Sequence, residues 1–396
     1  MLCILALISA IAPLATDMYL PGLPVMADSL DTSAASIQLT LTTFMAGLGI
    51  GQLIIGPISD GIGRRCLLLG AAIVTTLGSA ACALAPSIEF LIGARLIQGL
   101  SGGAAIVLAR ACIADRARGD GAAKLFSIMM IIGGIAPVVA PLIGGALLGP
   151  VGWRGIFWVL TIAGGVMVAG VITLVPETLP PERRHGGGLK ALALNLGYVT
   201  GSRRYLGYAL SFIFGFGALF SYIAASPFVV QNVLGFSPSR FSMVFAANAV
   251  GMVLAATITT RLLGRVSART LLIFGVSLLS TSGAALFCAA AIFNSTNPAA
   301  LLIPLFFSIS SIGFIMGNAT ALAQGEVTEA AGTGSALMGA GQFGLAAVVS
   351  PIVGIAGPDT AIPMAVSIPT FGLLAAVALA SLTRSGDLED SLSTKG

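Results

Sequence analysis

The chain has 396 residues, of which 57% are hydrophobic and only 9% charged, with a net charge of +4. A soluble domain carries about 25% charged residues, so these charges cannot cover a soluble surface, and a lipid bilayer is the solvent that suits the chain. The mean hydropathy of +1.02 agrees, and five scattered cysteines with no CxxC pair and a single histidine, His185, in a polar stretch leave no metal-binding cluster.

A membrane helix needs about 20 mostly apolar residues. Such runs lie at 2–24, 36–58, 67–85, 88–110, 125–148, 154–175, 206–232, 240–262, 270–293, 299–323, 332–356 and 361–382. The first has no basic segment before it and contains Asp17, so it reads as a membrane helix and not as a cleaved leader. The longest polar stretch falls between the sixth and seventh runs. It divides the chain into an N-terminal six-helix bundle (1–175), a central loop (176–204), a C-terminal six-helix bundle (205–384) and a tail (385–396). Two sets of six helices suggest a structural repeat. With the N-terminus in the cytoplasm, sixteen of the 19 Lys and Arg residues fall in cytoplasmic loops or the tail. That is the charge bias expected of a twelve-span protein with both termini inside.

Most acids lie in loops or at span ends. Asp17 lies within span one, and Arg95 is the only base deep in a span, in span four. Each is about seven residues from the outer end of its span, which at 1.5 Å per residue places both about 10–12 Å below the outer surface of the hydrocarbon. Ionisable groups at that depth are costly and are read as functional, with a partner to be named. Equal depth makes Asp17 and Arg95 candidate partners. The alternative is a static salt bridge that orders the N-terminal half. Burial and a nearby cation act on a carboxyl in opposite senses, so Asp17 is the natural candidate for carrying a proton.

Four motifs follow the chain order. Thr16-Asp17-Met18-Tyr19-Leu20-Pro21 lies in span one. Gly56-Pro57-Ile58-Ser59-Asp60-Gly61-Ile62-Gly63-Arg64-Arg65 forms loop 2–3. Arg95-Leu96-Ile97-Gln98-Gly99 lies in span four, and Ala140-Pro141-Leu142-Ile143-Gly144-Gly145 in span five. In loop 2–3, glycines permit a tight turn and two arginines anchor the cytoplasmic side. Together the motifs resemble those of the major facilitator superfamily, and specifically the twelve-helix drug:proton antiporters of the bicyclomycin and chloramphenicol resistance group. Pro176-Glu177-Thr178 after span six fits the same group. Two positions depart from it. Ala140 stands where a glycine is usual, and Ser9 stands where some related exporters carry a second acid.

The resemblance implies an all-α membrane fold of two pseudosymmetric six-helix bundles around a central cavity. It also implies efflux of small amphipathic drugs in exchange for protons, in a bacterial inner membrane. Asp17 and Arg95 would couple the proton. Gly56, Asp60, Gly63, Arg64 and Arg65 would form a conformational latch, with Asp60 facing the start of span eleven, and Pro141, Gly144 and Gly145 the antiporter motif. Candidate cavity residues are Tyr19, Gln38, Gln98, Phe212, Phe216, Phe220, Tyr222, Asn248, Asn318 and Gln342. An aromatic wall with a few amides suits neutral or weakly cationic amphipathic drugs, although packing or lipid-facing aromatics are the alternative at any one phenylalanine. The expected partners are a drug, protons and membrane lipid. No cofactor, metal or nucleic acid is expected, and the chain reads as a monomer. A metabolite or sugar exporter is the competing reading. The missing G-x-x-x-x-G-K-[ST] loop argues against ATP hydrolysis, and no metalloprotease or aspartate-rich repeat suggests an enzyme.

Overall fold

The computed structural model describes residues 2–116, 120–179, 196–292 and 297–383. The central-loop stretch 180–195 and the tail 384–396 lie outside the described residues. Among those described, apart from one isolated bridge between Leu263 and Val266, every regular element is helical. In chain order these are α1 (Leu2–Asp17), α2 (Leu23–Ser29), α3 (Ala34–Ile62), α4 (Arg65–Ala83), α5 (Ile88–Arg116) and α6 (Asp120–Leu174). They continue as α7 (Arg203–Phe228), α8 (Pro238–Leu262), α9 (Ala268–Phe287), α10 (Pro298–Glu326), α11 (Ala331–Gly354) and α12 (Ile362–Thr383).

Among the described residues, eleven stretches are long and apolar enough to cross a membrane, and the one within α6, Ile135–Leu174, covers one expected span and part of another. Gly152, with φ 66° and ψ 179°, breaks α6 into two helices beside Pro150. The helices on either side correspond to the expected spans 125–148 and 154–175. Polar residues fix several starts by accepting a backbone N–H in the first turn: Ser33 for α3, Ser202 for α7, Ser267 for α9 and Asn297 for α10.

The first expected span differs from expectation. It is not one helix over 2–24. The α-helix ends at Asp17, a 3₁₀ turn covers Leu20–Gly22, and a short helix resumes at Leu23. Pro21 is the cause. It has no N–H to donate to the Asp17 carbonyl, and its ring cannot sit against that carbonyl in a continuous helix.

Chain packing forms two compact units, the described parts of Met1–Leu189 with Gly235–Ala246, and of Lys190–Leu234 with Ala247–Gly396. In the first, α3 and α5 meet along a seam of four glycines. Gly47 and Gly51 face the carbonyls of Leu96 and Leu100, while Gly99 and Gly103 face those of Phe44 and Leu48. A Cβ at any of the four would collide with facing backbone, so the seam requires glycine. Close approach through small residues is how helices associate in lipid, where apolar side chains gain nothing by leaving it. In the second unit, Gly313 of α10 sits on the Met252 carbonyl of α8 in the same manner. Outward faces are aliphatic: Leu77, Ile162 and Leu373 are each more than 60% exposed. Patches of that kind suit acyl chains and not water.

Candidate functional site

The break in span one places Asp17 on the last turn of a half-helix inside the first unit, 5% exposed. Met18 N donates to Leu14 O at 3.0 Å as the helix ends. The next carbonyl, that of Ala15, is taken from outside the helix: Arg95 of α5 donates to it through Nη1 at 3.0 Å. A cation at the C-terminal end of a helix is favoured by both the free carbonyls and the helix dipole. On the other side of the break, Gly144 of α6 lies against the Met18 carbonyl, in a gap too narrow for any side chain.

Arg95 is fully buried. Besides Ala15 O, its Nη1 donates to Gln98 Oε1 at 2.7 Å, and its Nε reaches Thr40 O at 3.4 Å. The guanidinium carbon lies 4.4 Å from the ring centre of Tyr19, 4.0 Å from that of Phe44 and 5.9 Å from that of Phe157. Desolvated cation–π contacts contribute about 2 kcal/mol or more, so the aromatic cage replaces part of the lost hydration. Gln98 passes the network on, its Nε2 donating to Ser79 Oγ at 2.8 Å. The Tyr19 hydroxyl pairs with Thr40 Oγ1 at 3.1 Å. Tyr19 and Gln98, expected to line a cavity, are thus buried in the shell that holds Arg95.

One nitrogen of the cage, Arg95 Nη2, is buried with no hydrogen-bond partner. The direct Asp17–Arg95 ion pair expected from equal depth is not formed: no carboxylate–guanidinium contact of 4.0 Å or less joins them. The reason lies in the local geometry. The guanidinium is drawn to the Ala15 carbonyl, one turn-edge before Asp17, and is held there by Gln98 and the three rings. Ser9, at the position of a second acid in related exporters, turns its hydroxyl onto Leu5 O at 3.0 Å.

A second cluster lies in the first unit where α3 turns into α4. Gly63 (φ 113°) ends α3, and the chain turns directly into α4. Arg64 is buried there. Its Nε pairs with Asp115 Oδ2 of α5 at 3.2 Å, and its Nη1 donates to Ser59 Oγ. Glu177 receives the backbone N–H groups of Arg64 at 2.9 Å and Arg65 at 3.2 Å, so it caps α4 from 112 residues away. It also accepts from the N–H groups of Thr178 and Leu179. Burial opposes the Glu177 anion, but these four donors outweigh it and hold the carboxyl below its ordinary 4.5. Arg65 donates to Ile172 O at 2.8 Å, and Thr178 Oγ1 to Asp115 Oδ2 at 3.0 Å. The surroundings of Gly56 and the side chain of Asp60 lie outside what the structure describes.

In the second unit the expected cavity residues separate into groups. Asn248 Nδ2 donates to the Tyr222 hydroxyl at 3.0 Å, with both residues buried. Phe216 stacks on Phe220 at 6.1 Å and meets Phe343 edge-on. Phe220 is buried, whereas Phe212, Phe216 and Gln342 are half-exposed. Asn318 spends its amide on the Phe314 carbonyl of its own helix at 2.8 Å. In the first unit Gln38 is buried on α3, and Pro141 and Gly145 are buried on α6, with Gly145 against Ser242. Sequence reasoning assigned no role to Thr40, Phe44, Ser79, Asp115 or Phe157. For Glu177 the Pro-Glu-Thr signal was present, but not the contact it makes.

Comparison with known proteins places these features. Residues 5–351 match the family model of the Major Facilitator Superfamily. The chain is 36% identical over 383 residues to the uncharacterized MFS-type transporter YdgK of Bacillus subtilis, covering 96% of this chain and 94% of that one. It is 31% identical over 360 residues to a bicyclomycin resistance protein homolog of Haemophilus influenzae, covering 91% and 90%. The crystal structure of a D-xylose-proton symporter superposes with a TM-score of 0.76 over 96% of this chain and 95% of that one, at 16% identity, a likeness of fold alone.

Proposed function

The chain belongs to the major facilitator superfamily and is a multi-pass membrane transporter, not an enzyme, and from that premise we propose that it exports small amphipathic drugs in exchange for protons, with Asp17 as the proton carrier. The observation that carries the proposal is a buried carboxyl and a buried guanidinium in the same unit that form no ion pair, with one guanidinium nitrogen left unpartnered. A neutral acid needs no counter-charge, whereas a buried carboxylate does. The unformed ion pair supports reading this arrangement as the proton-loaded carrier. Loss of the proton turns Asp17 into an anion, and Arg95 Nη2 is the donor it would take. The break at Met18–Tyr19 lets the end of α1 make that move without bending a continuous helix. Drug binding favours the paired, deprotonated form, and proton binding favours the separated form. Exchange follows by linkage, with a coupling of about 1–3 kcal/mol typical of such systems.

The likeness to a relative named for bicyclomycin resistance supports an antibiotic as the cargo, as do the half-exposed aromatics of α7. One proton moving inward across about 100 mV releases about 2.3 kcal/mol. At about 1.4 kcal/mol per tenfold, that sustains a drug gradient of about 50-fold. The test is uptake of chloramphenicol-like and bicyclic drugs into inside-out vesicles containing the purified chain. An imposed inward-acid gradient should drive drug accumulation, and a protonophore should abolish it. Accumulation that persists with the protonophore, or that fails for every drug while the protein remains folded, rejects the proposal.

A further inference from the structure

The contact between α4 and α5 carries a line of buried hydroxyls leading away from the Arg95 cage. On α4, Thr75 and Ser79 are one turn apart and share a face. On α5, Arg95, Gln98 and Ser101 follow one another at three-residue spacing and share a face too. All five are buried. A serine or threonine inside a helix has a ready acceptor in the carbonyl one turn back. Both hydroxyls of α4 take it: Thr75 Oγ1 reaches Ala71 O and Ser79 Oγ reaches Thr75 O, each at 2.8 Å.

For Ser79 that bond decides what is left. A hydroxyl has one proton and two lone pairs, so Ser79 can offer Gln98 only lone pairs. Arg95 has N–H donors and no acceptor, so it can offer Gln98 only protons. An amide between the two satisfies both in one orientation, with Oε1 on Arg95 Nη1 at 2.7 Å and Nε2 on Ser79 Oγ at 2.8 Å. The Cys82 thiol, 3.9 Å from Oε1, is a further donor on the oxygen side. The backbones leave little slack around this bridge. A Cβ at Gly78 would stand 3.1 Å from Gln98 Cβ and 3.2 Å from its Cα, and one turn further on Thr75 Oγ1 meets Ser101 Oγ at 2.9 Å. The two helices are therefore held in register on either side of Gln98.

We infer that Ser79 is a positioning residue for Arg95: its hydroxyl holds the Gln98 amide, the amide holds Nη1, and Nη2 is thereby the nitrogen left for Asp17. The inference rests on the antiport reading, in which Nη2 receives the Asp17 carboxylate, and adds to it the group that decides which nitrogen is available. Packing alone would not need the hydroxyl. Alanine fills nearly the same space, but it leaves Gln98 Nε2 a buried donor without its acceptor, and such a group is costly enough to draw the amide away from Arg95.

The experiment uses the full chain in proteoliposomes and reads the initial rate of proton-driven uptake, with chloramphenicol and bicyclomycin as probes. Ser79→Ala should lower the rate about fivefold, which at about 1.4 kcal/mol per tenfold corresponds to about 1 kcal/mol, the usual net worth of one hydrogen bond. Ser79→Thr, which keeps the hydroxyl, should restore the rate. The deciding arm is a double-mutant cycle with Gln98→Leu, because a residue that acts only through another adds nothing once that other is gone. Ser79→Ala should therefore leave the rate of Gln98→Leu unchanged. A wild-type rate in Ser79→Ala overturns the inference, as does the same fivefold loss in both backgrounds, which would mean that Ser79 acts by packing. If Ser79→Ala is not recovered folded, Ser79→Cys takes its place, since it keeps the volume and supplies only a weak acceptor; a wild-type rate there overturns the inference equally. Proton-driven uptake of neither probe by the wild type would be a different result: it fails the antiport reading and takes this inference with it, whereas a transporting wild type with an unimpaired Ser79→Ala fails this inference alone.

Discussion

Arg95 holds three acceptors and three aromatic rings with one planar group. Lysine keeps the charge but not the fork, and its compact ammonium cannot reach the Ala15 and Thr40 carbonyls and Gln98 from one position. Arg95→Lys is therefore expected to fold and to lose transport by tenfold or more, on the scale of about 1.4 kcal/mol per tenfold, measured as gradient-driven uptake in proteoliposomes. Transport at the wild-type rate would show that the charge alone is used. Glu177 makes the opposite kind of contact, an anion receiving backbone donors at the start of α4. Its carboxyl is held below the ordinary 4.5 in the folded chain, so its contribution to stability is present above that value and is lost as pH falls through the lower folded-state value. Glu177→Gln should remove this acid-sensitive component, seen as a flatter dependence of the unfolding midpoint on pH below about 4.5. Glu177→Ala should cost about 1 kcal/mol, the usual loss on removing a helix cap. An unchanged pH profile in Glu177→Gln would remove Glu177 from the account.

At the scale of elements, the contact of α6 with the break in span one makes the sharpest claim. Gly144 touches the Met18 carbonyl, next to Asp17, and has no room for a methyl group. Gly144→Ala must push α6 away from the break in span one. Overpacking of this kind costs about 1–3 kcal/mol, so the variant should show a lower unfolding midpoint and reduced proton-driven uptake. A stable, fully active Gly144→Ala would mean that the contact is not needed. Most of the element pattern was legible in the sequence, because a run of about 20 apolar residues has few structures open to it besides a spanning helix. The glycine break at 152 falls between two such runs and agrees with that reading. The interruption at Asp17 was not read, although Pro21 was in plain view, because the apolar run continues unbroken across it. The cap on α4 was hidden for a different reason: Glu177 and Arg64 are joined only by the folding of three helices in between. Asp17 and Arg95 were singled out from depth alone, but depth does not fix direction, and the guanidinium donates to the Ala15 carbonyl and makes no ion pair with Asp17.

For the whole molecule, the Lys and Arg distribution predicts how the spans thread the bilayer. Reporter fusions after residues 120, 184 and 269 should read cytoplasm, and fusions after residues 31 and 359 should read the outside. An outside reading at 269 with inside readings before it would contradict the twelve-span reading. On the proposed reading, transport depends on one buried acid, Asp17, whose proton is displaced by drug. Purified chain in weakly buffered detergent, with a pH dye present, should release protons when drug is added. Asp17→Asn cannot take up or give up a proton at this position and should release none, while still binding drug. Proton release from Asp17→Asn equal to that of the wild type would contradict the account and place the coupled proton on another group.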